Sequence, residues 1–171
     1  MPMNEIKLVR VDDRLIHAQI LLLWMKNYNI NTVVIVDDEV AGNPFMAEIY
    51  RLAMPSYVRI YICSVSEALA QASRIPQKYQ GDRSRILVLM KTLQVARDLV
   101  VGGMDLPEIQ IGGGATAGSI DKHEMLDALF RKNHEPLSVL ISHDVTIYCQ
   151  NSPQNSKVYL HRGEADQGPW A

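Results

Sequence analysis

Apolar positions along the chain follow two alternating rhythms. Ile6 to Val11 alternates apolar residues with Lys7 and Arg10 and then runs into charge, as a strand does. His17 to Asn27 switches to helical spacing, with Ile20, Leu21, Trp24 and Met25 at i, i+1, i+4 and i+5. Thr32 to Val36 is an unbroken β-branched run, which suits a strand covered on both faces. Asn43-Pro44 supplies a cap and a proline at the first helical position, predicting a helix to about Met54 that Pro55 ends. Tyr57 to Cys63 reads as the third strand. Ser64 then caps a helix with apolar positions Val65, Ala68, Leu69 and Ala72. Gly81-Asp82 marks a turn. Ile86 to Met90 is the fourth strand, and Lys91-Thr92 leads into a helix through Val95, Leu99 and Val100, closed by Gly102-Gly103. Ile109-Gln110-Ile111 is a short fifth strand running into Gly112-Gly113-Gly114. Further on the pattern weakens. Met125 to Phe130 fits a strand or one turn of helix, Glu135-Pro136 opens a short helix, and Val145 to Gln150 reads as the last strand. Asn151 to Ala171 is polar, contains Pro and Gly, and reads as a tail.

Strands and helices that alternate with short connections predict a single α/β domain with an open, mostly parallel, twisted sheet and helices on both faces. With strand one central, the expected order is 3-2-1-4-5, with the late strands added at the far edge. The domain is expected to span residues 1–160, leaving 161–171 as a polar, disordered C-terminal tail. The winding direction reverses between strands one and four, so a crevice should open there, outside the carboxyl ends of the strands. The loops that would meet at it are Asp12–His17, Lys91-Thr92 and Gly112–Gly114.

Composition narrows the function classes. The 171 residues are 47% hydrophobic and 21% charged, with a net charge of −2, ordinary values for one globular domain. Nothing in that balance points to nucleic acid or an anionic membrane as partner. The longest apolar run, Ile20 to Met25, is far short of the roughly 20 residues that cross a bilayer. Cys63 and Cys149 lie far apart in sequence and read as reduced core residues of a cytosolic protein. His123, His134, His143 and His161 have no metal-ligand spacing and read as surface residues.

The stretch with chemistry in it is Val9-Arg10-Val11-Asp12-Asp13-Arg14-Leu15-Ile16-His17-Ala18-Gln19. An imidazole at the start of a helix meets free backbone N–H groups and partial positive charge, which favour its neutral, nucleophilic form. Arg14, three residues earlier, offers a planar fork for phosphoryl oxygens. Asp12 or Asp13 could orient either the guanidinium or the ring. Gly112 and Gly113 would admit close backbone approach, and Thr92 places a hydroxyl at the rim. Together these are the parts of phosphoryl transfer through a phosphohistidine. No Walker loop is present, so ATP is not the expected donor, and neither metal nor cofactor is expected. The plainer readings are a structural histidine at a helix start and a local Arg–Asp ion pair worth little.

The segment from Val9 to Gln19 closely resembles the active loop of the IIB component of mannose/fructose/sorbose-type sugar phosphotransferase systems. The resemblance continues in Val36-Asp37-Asp38-Glu39-Val40-Ala41, Ala53-Met54-Pro55, Leu89-Met90-Lys91-Thr92 and Ile109-Gln110-Ile111-Gly112-Gly113, and covers roughly residues 5–150. It implies that His17 accepts a phosphoryl group from a phosphorylated IIA protein or domain and passes it to a sugar imported by the IIC and IID membrane partners. It implies that Arg14 binds the group in transit, with Asp12, Asp13, Gln19, Asp37, Thr92, Gly112 and Gly113 in support. The expected location is cytoplasmic, peripherally tied to the membrane transporter, with a homo-oligomer left open. The stretch 114–136 matches the family poorly, and two further departures test the resemblance. Ala18 replaces the family's glycine, which is harmless in a helix and strained if φ is positive. Asp37 replaces an asparagine and would add negative charge if it faced the site. On those departures rests an alternative, a IIB-like regulatory or binding module. A second alternative is a receiver-type phospho-aspartate domain built on Asp12-Asp13, Asp37 and Lys91.

Overall fold

The computed structural model of the chain describes residues 5–71, 84–106, 108–113 and 121–161. The expected turn at Gly81-Asp82 and the tail beyond His161 lie outside those residues. The elements are β1 (Glu5–Val11), a π-helical segment (Ile20–Trp24) continuing into α1 (Met25–Asn27), β2 (Thr32–Val36), α2 (Asp38–Gly42) and α3 (Pro44–Ala53). Then come β3 (Arg59–Cys63), α4 (Val65–Gln71), β4 (Arg85–Met90), α5 (Leu93–Val101) and β5 (Glu108–Ile111). The last are α6 (Lys122–Lys132), α7 (His134–Ser142), β6 (Thr146–Cys149) and β7 (Val158–His161).

The architecture is the expected single α/β domain, with one seven-stranded sheet that is parallel except for β7. The order of its strands is not the expected one. It runs β3-β2-β4-β1-β5-β6-β7, so β4 sits between β1 and β2. β4 pairs with β2 from Thr32↔Ile86 to Val36↔Met90, and with β1 up to Val11↔Met90. Both orders satisfy the handedness of crossovers and bury apolar strands, so periodicity could not choose between them. What distinguishes β4 is that Ile86 to Met90 is buried throughout and wholly apolar, whereas β1 carries Arg10. The consequence for the site is small, because β1 keeps β4 as a neighbour, as expected, and has β5 in place of β2 on its other side. Asp12 N–H donates to Met90 O at 2.9 Å, and Gly112 N–H donates to Val11 O at 2.9 Å.

The two faces of the sheet build two cores. Leu8, Val33, Ile35, Leu87 and Leu89 pack with Ile20, Trp24 and Met25, and against Met46 and Tyr50 of α3. Val9, Val11, Val34, Val36, Val88 and Ile109 pack on the other side with α5, α6 and α7. The chain therefore leaves β1 on one face and β4 on the other. That divergence opens the crevice where the expected reversal placed it.

Two further expectations change. Met125 to Phe130 is the middle of an eleven-residue helix capped by Asp121, which accepts from His123 N–H at 2.8 Å. Leu126 and Leu129 are its buried positions, too few to declare the period from sequence. The segment after Gln150 is not simply a tail, because Val158–His161 returns as an antiparallel edge strand on β6. His161 is consequently not a surface residue. Its side chain is 12% exposed and lies 3.6 Å from Asp144. Neither Cys63 nor Cys149 is in a disulfide, and burial pushes the Cys149 thiol up to about 12.

Leu89 sits fully buried in the middle of β4. Leu89→Ala is expected to lower stability by about 2–5 kcal/mol through lost transfer energy and a residual cavity. Urea unfolding of wild type and variant measures it.

Candidate active site

The site is built by one tight turn at the carboxyl end of β1. Leu15 N–H donates to Asp12 O at 3.0 Å, closing the turn, and Arg14 N–H donates to Asp12 Oδ1 at 3.1 Å. Leu15 takes a left-handed backbone, φ 53°, unusual for a branched residue, and its side chain is fully buried in the core beside Ile20 and Trp24. Burying Leu15 inward fixes the turn so that Arg14 and His17 come back to the same carboxylate.

Asp12 is that carboxylate, and it is fully buried. Arg14 meets it with two donors of its fork, Nε to Oδ1 at 3.0 Å and Nη2 to Oδ2 at 3.1 Å. From beneath, Arg10 donates to Oδ2 from Nε at 3.3 Å and from Nη2 at 3.0 Å. His17 Nε2 lies 3.1 Å from the same Oδ2. Gln19 Oε1 accepts from Arg14 Nη2 at 3.4 Å. The expected cluster of Asp12, Arg14, His17 and Gln19 therefore comes together around a single anion.

Ionisation follows from this geometry. Burial alone would raise the Asp12 pKa, but the hydrogen bonds and charge of Arg14 and Arg10 outweigh it and hold Asp12 at about 2. An ionised carboxylate can only accept, so the proton of the neutral His17 ring must sit on Nε2 and donate to Oδ2. Nδ1 is then the nitrogen with the free lone pair. Burial of the ring lowers the His17 pKa, as do the charges of Arg14 and Arg10, against the opposing pull of Asp12. The ring is thus held neutral, and 15% of its side chain remains exposed.

His17 stands immediately before helical backbone begins, with its carbonyl accepting from Leu21 N–H at 3.1 Å. Ala18 is already helical and is not among the residues with positive φ, so the alanine brings no strain. Gly112 and Gly113 wall the cluster. A methyl group at Gly112 would collide with the Arg10 guanidinium, and one at Gly113, whose φ is +73°, with the carboxylates of Asp12 and Asp13. Asp13, Lys91, Thr92 and Gly112 line an adjoining cavity of about 280 Å³. Thr92 also caps α5 through Val95 N–H. Asp37 is engaged outside the cluster: it caps α2 by accepting from Val40 N–H at 2.8 Å and lies 3.7 Å from Lys91 Nζ.

The comparisons with known proteins decide the family. Residues 6–162 match the family described as PTS system sorbose subfamily IIB component. This chain belongs to that family. The sorbose-specific EIIB component of Lacticaseibacillus casei is 34% identical over 139 residues, 76% of this chain and 81% of that protein. The mannose-specific EIIAB component of Escherichia coli (strain K12) is 33% identical over 110 residues, which are 64% of this chain and 33% of that longer protein. The crystal structure of manxB from Thermoanaerobacter tengcongensis is similar with a TM-score of 0.69 at 28% identity, covering 94% of this chain and 95% of that one. This IIB component is therefore a phosphotransferase-system protein of the sorbose/mannose family.

Sequence reasoning missed the underside of its site. In the alternation of strand one Arg10 is only a polar position. It is 1% exposed, donates from Nη1 to Gln110 Oε1 and, at 3.4 Å, to Gln150 O, and lies 5.0 Å over the Trp24 ring. The signal was available. An arginine inside one apolar strand and a glutamine inside another require partners if both strands are covered.

The depressed Asp12 pKa has a stability consequence. Its contribution is complete above the unfolded value near 4 and is lost as pH falls from there towards 2. About 2 kcal/mol is expected to disappear across that window. In urea unfolding, the stability gap between wild type and Asp12→Asn should narrow as pH falls from 5 to about 2 by that amount.

Proposed function

We propose that this IIB component relays a phosphoryl group, accepting it from a phosphohistidine on a IIA partner at Nδ1 of His17 and delivering it to a sugar. The observation that carries the reading is the orientation of the imidazole. Its Nε2–H is committed to Asp12, which leaves the Nδ1 lone pair available, and the same carboxylate holds the half-exposed guanidinium of Arg14. In the first step that lone pair attacks phosphorus. The N–P bond to the donor ring breaks, and the donor ring recovers its electron pair. Positive charge then builds on the His17 ring, and ionised Asp12 stabilises it through Nε2–H. Arg14 steadies the equatorial oxygens of the group in flight. In the second step a sugar hydroxyl attacks phosphorus and the His17–phosphorus bond breaks. The hydroxyl proton leaves to solvent or to a base of the acceptor complex.

The relatives are named for sorbose and mannose, so a hexose held by IIC and IID membrane partners is the acceptor proposed here. Among the described residues no helix is long and apolar enough to cross a membrane. Two features had kept a regulatory module in view, Ala18 and Asp37. Ala18 is helical, and Asp37 is tied to Val40 and Lys91, so neither observation favours it.

Incubation with phosphorylated IIA tests the relay. Wild type is expected to acquire acid-labile phosphate and His17→Ala none; an unlabelled wild type, or a labelled His17→Ala, defeats the reading. Folded Arg14→Ala is expected to transfer about 10² times more slowly or worse, the cost of losing one charge-stabilising donor set. Near-normal transfer by that variant would remove Arg14 from the mechanism.

A further inference from the structure

Two arginines share one carboxylate here, and they are held very differently. Arg14 is 44% exposed, and among the described residues its side chain donates, beyond Asp12, to Gln19. Arg10 is sealed in. Gln110 Oε1 and Gln150 O take its outer nitrogen, the Trp24 ring lies along it, and Gly112 leaves no room for a side chain behind it. Gln110 is itself fixed, donating from Nε2 to Gln150 Oε1 at 3.2 Å.

The relay makes a demand on this arrangement. The Nε and Nη2 edge of the Arg14 guanidinium now rests on Asp12. A phosphoryl group on His17 would compete with that carboxylate for the same cation. When it leaves, a fully buried carboxylate loses a counter-ion. A buried charge stripped of its partner is strongly unfavourable, and it would respond by taking up a proton. A protonated Asp12 could no longer hold Nε2–H of His17, and the ring would lose its orientation.

We propose that Arg10 is a positioning residue: it is the permanent counter-ion of Asp12, and it thereby frees the Arg14 fork to pass from the carboxylate to the phosphoryl group on His17. The inference rests on the relay reading above. The groups facing Asp12 are Arg10 from β1, Arg14 and His17 from the turn, and Asp13 across Gly113. Gln110 and Gln150 behind Arg10 are neutral. Only one of the two guanidiniums is free to move, so the charge that stays is that of Arg10. The division of labour is between a fixed cation that sets the ionisation of Asp12 and an exchangeable one that handles the cargo.

The test reads the Asp12 carboxyl carbon by NMR in protein labelled with ¹³C-aspartate. Arg14→Ala imitates the departure of the fork without any phosphoryl group. Its Asp12 is expected to titrate with a midpoint still below that of free aspartate, about 3.9. A midpoint above that value overturns the proposal. In wild type phosphorylated by phospho-IIA and held at pH 8, where phosphohistidine survives, the Asp12 carbon is expected to keep its ionised shift; movement to the protonated shift overturns it. Arg10→Gln is expected to raise the Asp12 midpoint and slow transfer by about tenfold or more, with part of the rate recovered in Arg10→Lys. Wild-type transfer by a folded Arg10→Gln overturns the proposal as well. Should Arg10→Gln fail to fold, the Arg14→Ala titration decides. A wild type that takes no phosphate would sink the relay and with it the passage of the Arg14 fork, whereas the Arg14→Ala titration alone decides whether Arg10 is the standing counter-ion of Asp12.

Discussion

A carboxylate with no exposed surface needs compensation from its neighbours, and Asp12 has it from three directions. Its ionisation is the constraint on which the site depends. A bare carboxylate in that position would cost several kcal/mol, enough to consume much of the stability of a domain this size. With Arg10 below, Arg14 above and the imidazole alongside, the pKa of the same carboxylate is held down at about 2. The tautomer of His17 follows from that charge, and the free nitrogen follows from the tautomer.

The fold supplies what this arrangement needs. β1 is flanked by β4 and β5, so the turn after it is tied on one side to Met90 and on the other to Gly112. Chain leaving β1 and chain leaving β4 cover opposite faces of the sheet, which opens the mouth above the turn. Leu15 anchors the turn from within. Its left-handed backbone is unfavourable by about 1–2 kcal/mol, and burial of its side chain among Ile20 and Trp24 offsets this. Strain of this kind is typical of turns that must aim side chains.

The family relationship and the geometry meet at the same residues. The match spans residues 6–162 and so takes in the turn, the flanking strands and the late strands alike. The departures from the family's usual loop prove mild in place. Ala18 lies where helix begins, and the extra charge of Asp37 is taken up by an amide and by Lys91. Asp37 and Lys91 do meet at 3.7 Å, the pairing a receiver would use, but the Asp37 carboxylate is occupied as a helix cap.

The chain alone determined the class of fold, the position of most elements and the residues that gather at the turn after β1. Alternation, caps and β-branched runs act over a few residues and can be read directly. So could the company of Asp12, Arg14, His17 and Gln19, because all four lie within one turn and the start of one helix. Strand order was beyond reach, since β1 and β4 are both able to occupy the centre and only packing across the sheet selects between them. The short strand Val158–His161 was hidden for a similar reason, as a four-residue edge strand takes its pattern from the neighbour it pairs with. The floor of the site needed tertiary structure most of all. Arg10, Gln110 and Gln150 come from three strands or their ends, far apart along the chain. They meet only because the sheet lays β1, β5 and β6 side by side, where each buried polar group finds a partner among the others.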